Sequence, residues 1–99
     1  MDFMIMEKLH MITLYTTPDC QICKQLAEKL STLSISFQKK DMSDTEAFAD
    51  IIMRYKYVME APLIEDNGTF IEKPDIEEWL KTVTKKWLEK TLNQFNQNL

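Results

Sequence analysis

The spacing of apolar residues changes several times along the chain, and each change marks an element. Met11 to Thr16 (Met-Ile-Thr-Leu-Tyr-Thr) is almost continuously apolar and β-branched, the pattern of a strand covered on both faces. Pro18 ends it, because proline cannot donate to a ladder and biases Thr17 toward extended backbone. From Gln21 to about Leu33 the spacing turns helical: Ile22, Leu26, Leu30 and Leu33 make one stripe, with Ala27 beside it. Ile35 to Lys39 alternates and predicts a half-covered strand. Strand, helix and strand over about 30 residues form a unit whose right-handed crossover makes the two strands parallel.

Ser43-Asp44-Thr45-Glu46 reads as a capping box. The helix it opens carries Phe48, Ile51, Ile52 and Tyr55 on one face and is expected to run to about Lys56. Val58 to Ala61 leads into Pro62. Leu63 to Glu65 and Thr69 to Ile71 then read as a hairpin turning at Asp66-Asn67-Gly68. Pro74 suits a first helical position, and Asp75, Glu77 and Glu78 complement the dipole of the first turn. Ile76, Leu80, Val83 and Trp87 form the apolar face of this last helix, flanked by Trp79 and Leu88. The helix is expected to reach about Leu92, with Asn93 to Leu99 fraying. The order β-α-β-α-β-β-α predicts an α/β fold, a four-stranded mixed sheet flanked by helices.

At 99 residues one domain is expected. It takes residues 11–99, with an extended C-terminal helix, and leaves residues 1–10 as an N-terminal extension without an assigned role. A net charge of −4 with no basic stripe argues against nucleic acid. The single glycine, Gly68, excludes Gly-rich phosphate loops. No run approaches the roughly 18–20 apolar residues that span a bilayer, so no membrane partner is expected. No leader peptide is visible, and the expected location is cytoplasmic. Trp79 and Trp87 are read as core residues, His10 as a surface residue, and the chain as a monomer.

The two cysteines are too few for a disulfide scaffold. They stand as Cys20-Gln21-Ile22-Cys23, between the first strand and the first helix. A cysteine on a first helical turn faces free N–H groups and the positive end of the helix dipole, which favour thiolate over thiol. Asp19 opposes this and Lys24 supports it. Cys20 is therefore the candidate nucleophile and Cys23 the resolving thiol of a redox pair. Two other readings stand beside this one. In the first, the pair supplies two of the four ligands of a zinc site, with His10 and a carboxylate or a second chain completing it, or part of an iron–sulfur site bridged by two chains. In the second, the domain only binds partners and its cysteines do no chemistry.

The segment Tyr15-Thr16-Thr17-Pro18-Asp19-Cys20-Gln21-Ile22-Cys23 resembles the glutaredoxin opening, strand-Tyr-Thr-x-Pro-x-Cys-x-x-Cys. Pro62 resembles the proline that faces the cysteines in the cis conformation across that family. Lys73-Pro74-Asp75-Ile76 resembles the Arg-Pro-Asp segment of the NrdH redoxins, hydrogen donors to ribonucleotide reductase. The likeness covers about residues 11–83. It implies a thioredoxin-like fold and a dithiol oxidoreductase that reduces protein disulfides, ribonucleotide reductase among the implied targets. It implies no bound cofactor; reducing equivalents come from glutathione or from an NADPH-dependent flavoprotein of the thioredoxin-reductase type. The candidate substrate-binding residues are Tyr15, Thr17, Pro18, Ala61, Pro62, Lys73 and Asp75. A cis Pro62 would leave the backbone of Ala61 free to pair with an extended substrate. Glutathione-binding glutaredoxins usually carry a Gly-Gly pair and an acidic residue after the hairpin; Ile71-Glu72-Lys73-Pro74 stands here instead. Glu60 adds a negative charge just before Ala61-Pro62. Both departures favour the flavoprotein as reductant.

Overall fold

The computed structural model describes residues 11–97, and side chains as far as Lys86. The expectations for residues 1–10, His10, Trp87 and Leu88 lie outside the described residues and side chains. The elements run β1 (Ile12–Thr16), α1 (Gln21–Thr32), β2 (Gln38–Asp41), α2 (Thr45–Arg54), β3 (Leu63–Asp66), β4 (Thr69–Ile71), a 3-10 turn (Lys73–Asp75) and α3 (Ile76–Gln97). They build one mixed sheet in the order β2-β1-β3-β4. β1 is parallel to β2 and antiparallel to β3, and β3 is antiparallel to β4.

Alternation along the central strands divides the core in two. Ile12, Leu14 and Ile64 point to one face and meet Leu26 and Leu30 of α1 and Ile76, Trp79 and Leu80 of α3. Tyr15 and Leu63 point to the other face and meet Met42, Ile51 and Val58. Thus α1 and α3 cover one side of the sheet and α2 the other. The indole N–H of Trp79 donates to Asp66 Oδ2 at 2.9 Å, so its burial leaves no orphan donor. Asn67 and Gly68 form the two-residue loop of the β3–β4 hairpin, both with positive φ (50° and 88°), as the primed turns require.

Several boundaries differ from the sequence expectation. β2 begins at Gln38, not Ile35, because Ile35 and Phe37 pack onto the α1–α3 side before the strand starts. All four residues of β2 are exposed. Asp44, not Ser43, caps α2 and accepts from Ala47 N at 3.2 Å; the Ser43 hydroxyl is taken by Asp41 Oδ1 at 2.6 Å. α2 ends at Arg54, and Ile52 and Tyr55 remain exposed rather than buried with Ile51. Ile22, on the first turn of α1, is exposed as well. α3 continues to Gln97 since no glycine or proline follows Pro74 to stop it.

The end of α1 is a Schellman motif. Ile35 N–H donates to Leu30 O at 2.9 Å and Ser34 N–H to Ser31 O at 3.0 Å, with Ser34 left-handed at φ 58°. A serine pays a steric penalty there that glycine does not. Ser34→Gly is expected to raise stability by about 0.5–1 kcal/mol, read as a higher urea midpoint with an unchanged slope. A lower midpoint would mean that the left-handed turn is not under strain.

Tyr15, expected on the rim of the site, is instead fully buried in the α2-side core. β1 is covered on both faces, so its alternation sends Tyr15 inward rather than out to a ligand. The hydroxyl donates to Glu65 Oε1 at 3.2 Å. Arg54 bridges the same pair: Nη2 donates to Glu65 Oε1 at 2.8 Å and to the Tyr15 oxygen at 3.3 Å, and Nε donates to Asp50 Oδ1 at 2.9 Å. Burial, reinforced by the Glu65 charge, pushes the Tyr15 phenol up from 10 to about 12. In the unfolded chain tyrosine ionises near 10. Between about pH 10 and 12 the folded chain therefore holds a proton that the unfolded chain has released, and stability falls as pH rises through that window. An absorbance titration should place Tyr15 near 12, and Tyr15→Phe should remove that late step. Ionisation of Tyr15 near 10 would contradict its burial against Glu65.

Candidate active site

The chemistry is placed by one turn. β1 ends at Thr16, and Cys20 N–H closes back onto Thr17 O at 3.3 Å. Pro18 occupies the second position of this turn and Asp19 the third, with φ at 66°. That pattern of proline followed by positive φ belongs to a type II turn. It delivers Cys20 to the N-cap of α1 in extended backbone, φ −87° and ψ 101°. Cys20 Sγ accepts the N–H of Cys23 at 3.1 Å, and the Cys20 carbonyl accepts the N–H of Lys24 at 3.2 Å. A sulfur in this position takes one of the donors that a helix start leaves unpaired, so negative charge on it is favoured.

Cys20 and Cys23 are joined as a disulfide, with their Cα atoms 5.2 Å apart. The two sulfurs are not equivalent. Cys20 is half-buried at the surface, whereas Cys23 is 2% exposed. An outside sulfur can approach only the first. The sequence reading expected Cys23 to be the more buried of the two, as it is.

The C-terminal ends of β1 and β2 and the N-terminal end of β3 meet at this edge of the sheet. Thr16 pairs with Asp41, and Met42 N–H donates to Thr16 O at 2.7 Å. Tyr15 pairs with Leu63 at the last rung of the β1–β3 ladder, and Pro62 and Ala61 precede Leu63 at that end. The Ala61–Pro62 bond is cis. Pro62 is buried and Ala61 half-buried. Thr17 and Pro18 line a cleft together with both cysteines, Lys24 and Lys39. Lys73 and Asp75 do not join them. They lie in the exposed 3-10 turn after β4, beyond β3 from the cleft. Their expected place on the rim is thus corrected by the strand order.

The sequence reading missed the far wall of the cleft, made by Lys39, Lys40 and Asp41. The signal lay in the topology: in a parallel pair the C-terminal ends coincide, so the residues that end the second strand stand beside the turn that ends the first. Asp41 Oδ1 accepts from Ser43 N at 2.9 Å and from its hydroxyl, and these bonds hold the carboxyl below its usual range. Among the described residues no ion pair engages Lys24, Lys39 or Lys40. A second, apolar groove adjoins the cleft and shares Thr17 with it. Among the described residues no group of three or more His, Cys, Asp or Glu side chains converges; His10, offered as a ligand in the metal reading, lies outside them.

A family model described as a glutaredoxin-like domain (DUF836) matches residues 11–93. Among solved structures, the thioredoxin-like protein BC3987 aligns with a TM-score of 0.58 at 24% identity, over 71% of this chain and 96% of that one. A mutant form of the same protein aligns with a TM-score of 0.62 at 22% identity, over 71% and 90%. Glutaredoxin 1 from Francisella tularensis, complexed with cacodylate, aligns with a TM-score of 0.53 at 15% identity, over 73% and 98%. These likenesses establish the thioredoxin-like fold. No curated protein matches the chain.

Proposed function

The chain belongs to the glutaredoxin-like domain family, and on that premise we propose that it is a thiol–disulfide oxidoreductase that reduces disulfides in partner proteins. The observation that carries this reading is the asymmetric pair: Cys20 reachable at a helix N-cap, Cys23 buried one turn behind it and already bonded to it.

In the reduced protein the Cys20 thiolate attacks one sulfur of a target disulfide. A Cys20–target disulfide forms, the target S–S bond breaks, and the second target sulfur leaves as a thiolate that takes up a proton. Cys23 then loses its proton and attacks Cys20 Sγ. The Cys20–Cys23 disulfide forms, and the target leaves as a dithiol carrying two electrons. The helix start favours the charged form of Cys20 in the first step and of the leaving Cys20 sulfur when the protein is recharged.

Thr17 and Pro18 border the attacking sulfur, and Ala61 lies outside the β1–β3 ladder, which ends at Leu63. These features support a substrate lying extended across Thr17 and Ala61. Recharging is assigned to an NADPH-dependent flavoprotein of the thioredoxin-reductase type rather than to glutathione. The support is the exposed Glu60 beside Ala61 and the chain Ile71-Glu72-Lys73-Pro74 after the hairpin. Ribonucleotide reductase is one target this reading allows, and a monomer working in the cytoplasm would suit it. Among the described residues no helix is long and apolar enough to cross a membrane.

Reduction of a protein disulfide, followed as NADPH oxidation, tests the proposal. Turnover is expected with the flavoprotein reductase and little with glutathione and glutathione reductase. Turnover with glutathione alone would overturn the choice of reductant, and none with either would overturn the activity.

A further inference from the structure

The cleft that holds the disulfide carries an uneven set of charges on its β2 side. Lys24 stands one turn after Cys20 on α1. Lys39 pairs with Leu14, whose side chain faces α1, so Lys39 leaves the sheet on the same side as Lys24. Both lysines line the cleft and are exposed, and among the described residues neither has an ion-pair partner. Lys40 is set differently. It pairs with Tyr15 and leaves on the α2 side. There the Arg54 hydrogen bond holds the Asp50 carboxyl below its usual range, and the Lys40 charge adds to this. Two acids line the same cleft. Asp41 has Oδ1 taken by the N–H and hydroxyl of Ser43, whereas Asp19 is exposed in the turn before Cys20. A chain of net charge −4 thus sets two ammonium groups against one open carboxylate where a substrate sulfur must arrive. The screening length at physiological ionic strength is about 8 Å, so distant acids are muted while a charge inside the cleft meets its lysines at close range.

We propose that Lys39, with Lys24, selects the substrate by charge: the cleft takes the carboxylate of an aspartate or glutamate that stands close to the disulfide-bonded cysteine of a partner protein. The inference rests on the disulfide-reductase reading and names its substrate class. The carboxylate is a handle and exchanges no electrons. The new bond joins Cys20 Sγ to the substrate sulfur, and the second substrate sulfur leaves as a thiolate that takes up a proton. β2 and β3 flank β1 on opposite sides, so an acidic side chain entering from β2 stays clear of exposed Glu60, which precedes Ala61 and β3. Glutathione has a carboxylate at each end and brings negative charge toward both sides.

The test measures exchange between the reduced full-length chain and a set of disulfide-linked peptides. Each carries glutamate at one of the three positions on either side of the cysteine, and each has a glutamine counterpart. The readout is the glutamate-to-glutamine rate ratio within one protein, so any effect of a substitution on the Cys20 sulfur itself divides out. For at least one position the ratio is expected to reach about three- to tenfold, the order given by one or two exposed ion pairs. It should fall toward one as salt rises from about 0.05 to about 0.5 M. Lys39→Glu should invert the preference, and Lys39→Arg should keep it. Lys39 is exposed on an edge strand, so neither substitution disturbs the core. Asp19→Asn removes the opposing charge, suits the left-handed backbone at that position and should raise the ratio. Lys29→Gln, at an exposed position of α1 away from the cleft, should leave it unchanged. A ratio of one at every position, or a preference that survives Lys39→Glu or high salt, would overturn the subsite while leaving the activity in place. Glutathione disulfide reacting faster than the best glutamate peptide would overturn the choice of occupant. Failure with every peptide, the glutamine counterparts included, would overturn the activity itself.

Discussion

Cys20→Ser is expected to lower disulfide reduction by at least about a thousandfold, the order by which loss of a covalent nucleophile ordinarily reduces turnover. A serine hydroxyl at the N-cap still accepts the Cys23 N–H, so the helix start and the fold survive the change. Cys23→Ser has a different outcome. The first exchange proceeds, the mixed disulfide with the target persists, and a catalytic reaction becomes stoichiometric. Intact-mass analysis after mixing with a disulfide substrate separates the two: an adduct on Cys23→Ser, none on Cys20→Ser. If Cys20→Ser formed the same adduct and turned over like the native chain, Cys20 would not be the nucleophile; if the native chain itself neither formed an adduct nor turned over, the domain would be a binding module whose cysteines do no chemistry. If Cys23→Ser turned over like the native chain, Cys20 would work alone, with an outside thiol as resolver.

The second large effect is on stability. Leu14 is fully buried at the centre of the sheet, in one cluster with Leu26 and Leu30 of α1 and with Trp79 and Leu80 of α3. Leu14→Ala is expected to cost about 2–5 kcal/mol, the transfer term plus the cavity. For a domain of this size that lowers the melting temperature by roughly 10–20 °C or more. Met53→Ala, at a position 85% exposed, should stay within about 0.5 kcal/mol of the native chain. A Leu14→Ala cost below about 1 kcal/mol would mean that the α1 side of the sheet collapses around the gap. Slower exchange in Leu14→Ala at a temperature where it is folded would tie the packing of α1 to the placement of Cys20.

Much of this was legible in the sequence because local signals agreed with one another. The proline after β1, the helical spacing from Leu26 to Leu30 and the cysteines between them fix a strand, a turn and a helix start without long-range information. Asn67-Gly68 fixed the hairpin in the same way. What could not be read has physical causes. β2 is an edge strand with four exposed residues, so it carries no apolar period, and the apolar Ile35 and Phe37 before it drew the prediction forward. Ser43 and Asp44 can each cap a helix; the choice falls to Asp44 because Asp41, two residues back from Ser43, takes the Ser43 hydroxyl. Tyr15 sits in a strand buried on both faces, where alternation does not tell a core ring from a ligand-facing one. Met42 and Met59 are brought to one groove only when α2 packs across the sheet, so no spacing along the chain announces them.

The β2 edge has a consequence for how the protein behaves in company. A sheet with an open edge strand risks offering it to copies of itself. At β2 the backbone lies open along Gln38–Asp41, and adjacent Lys39 and Lys40 project to opposite sides of the sheet. A second molecule adding there would set ammonium groups against one another and strip them of water, so self-pairing and the aggregates it seeds are discouraged. Replacing both lysines would leave the fold intact and make its concentrated solutions prone to assembly.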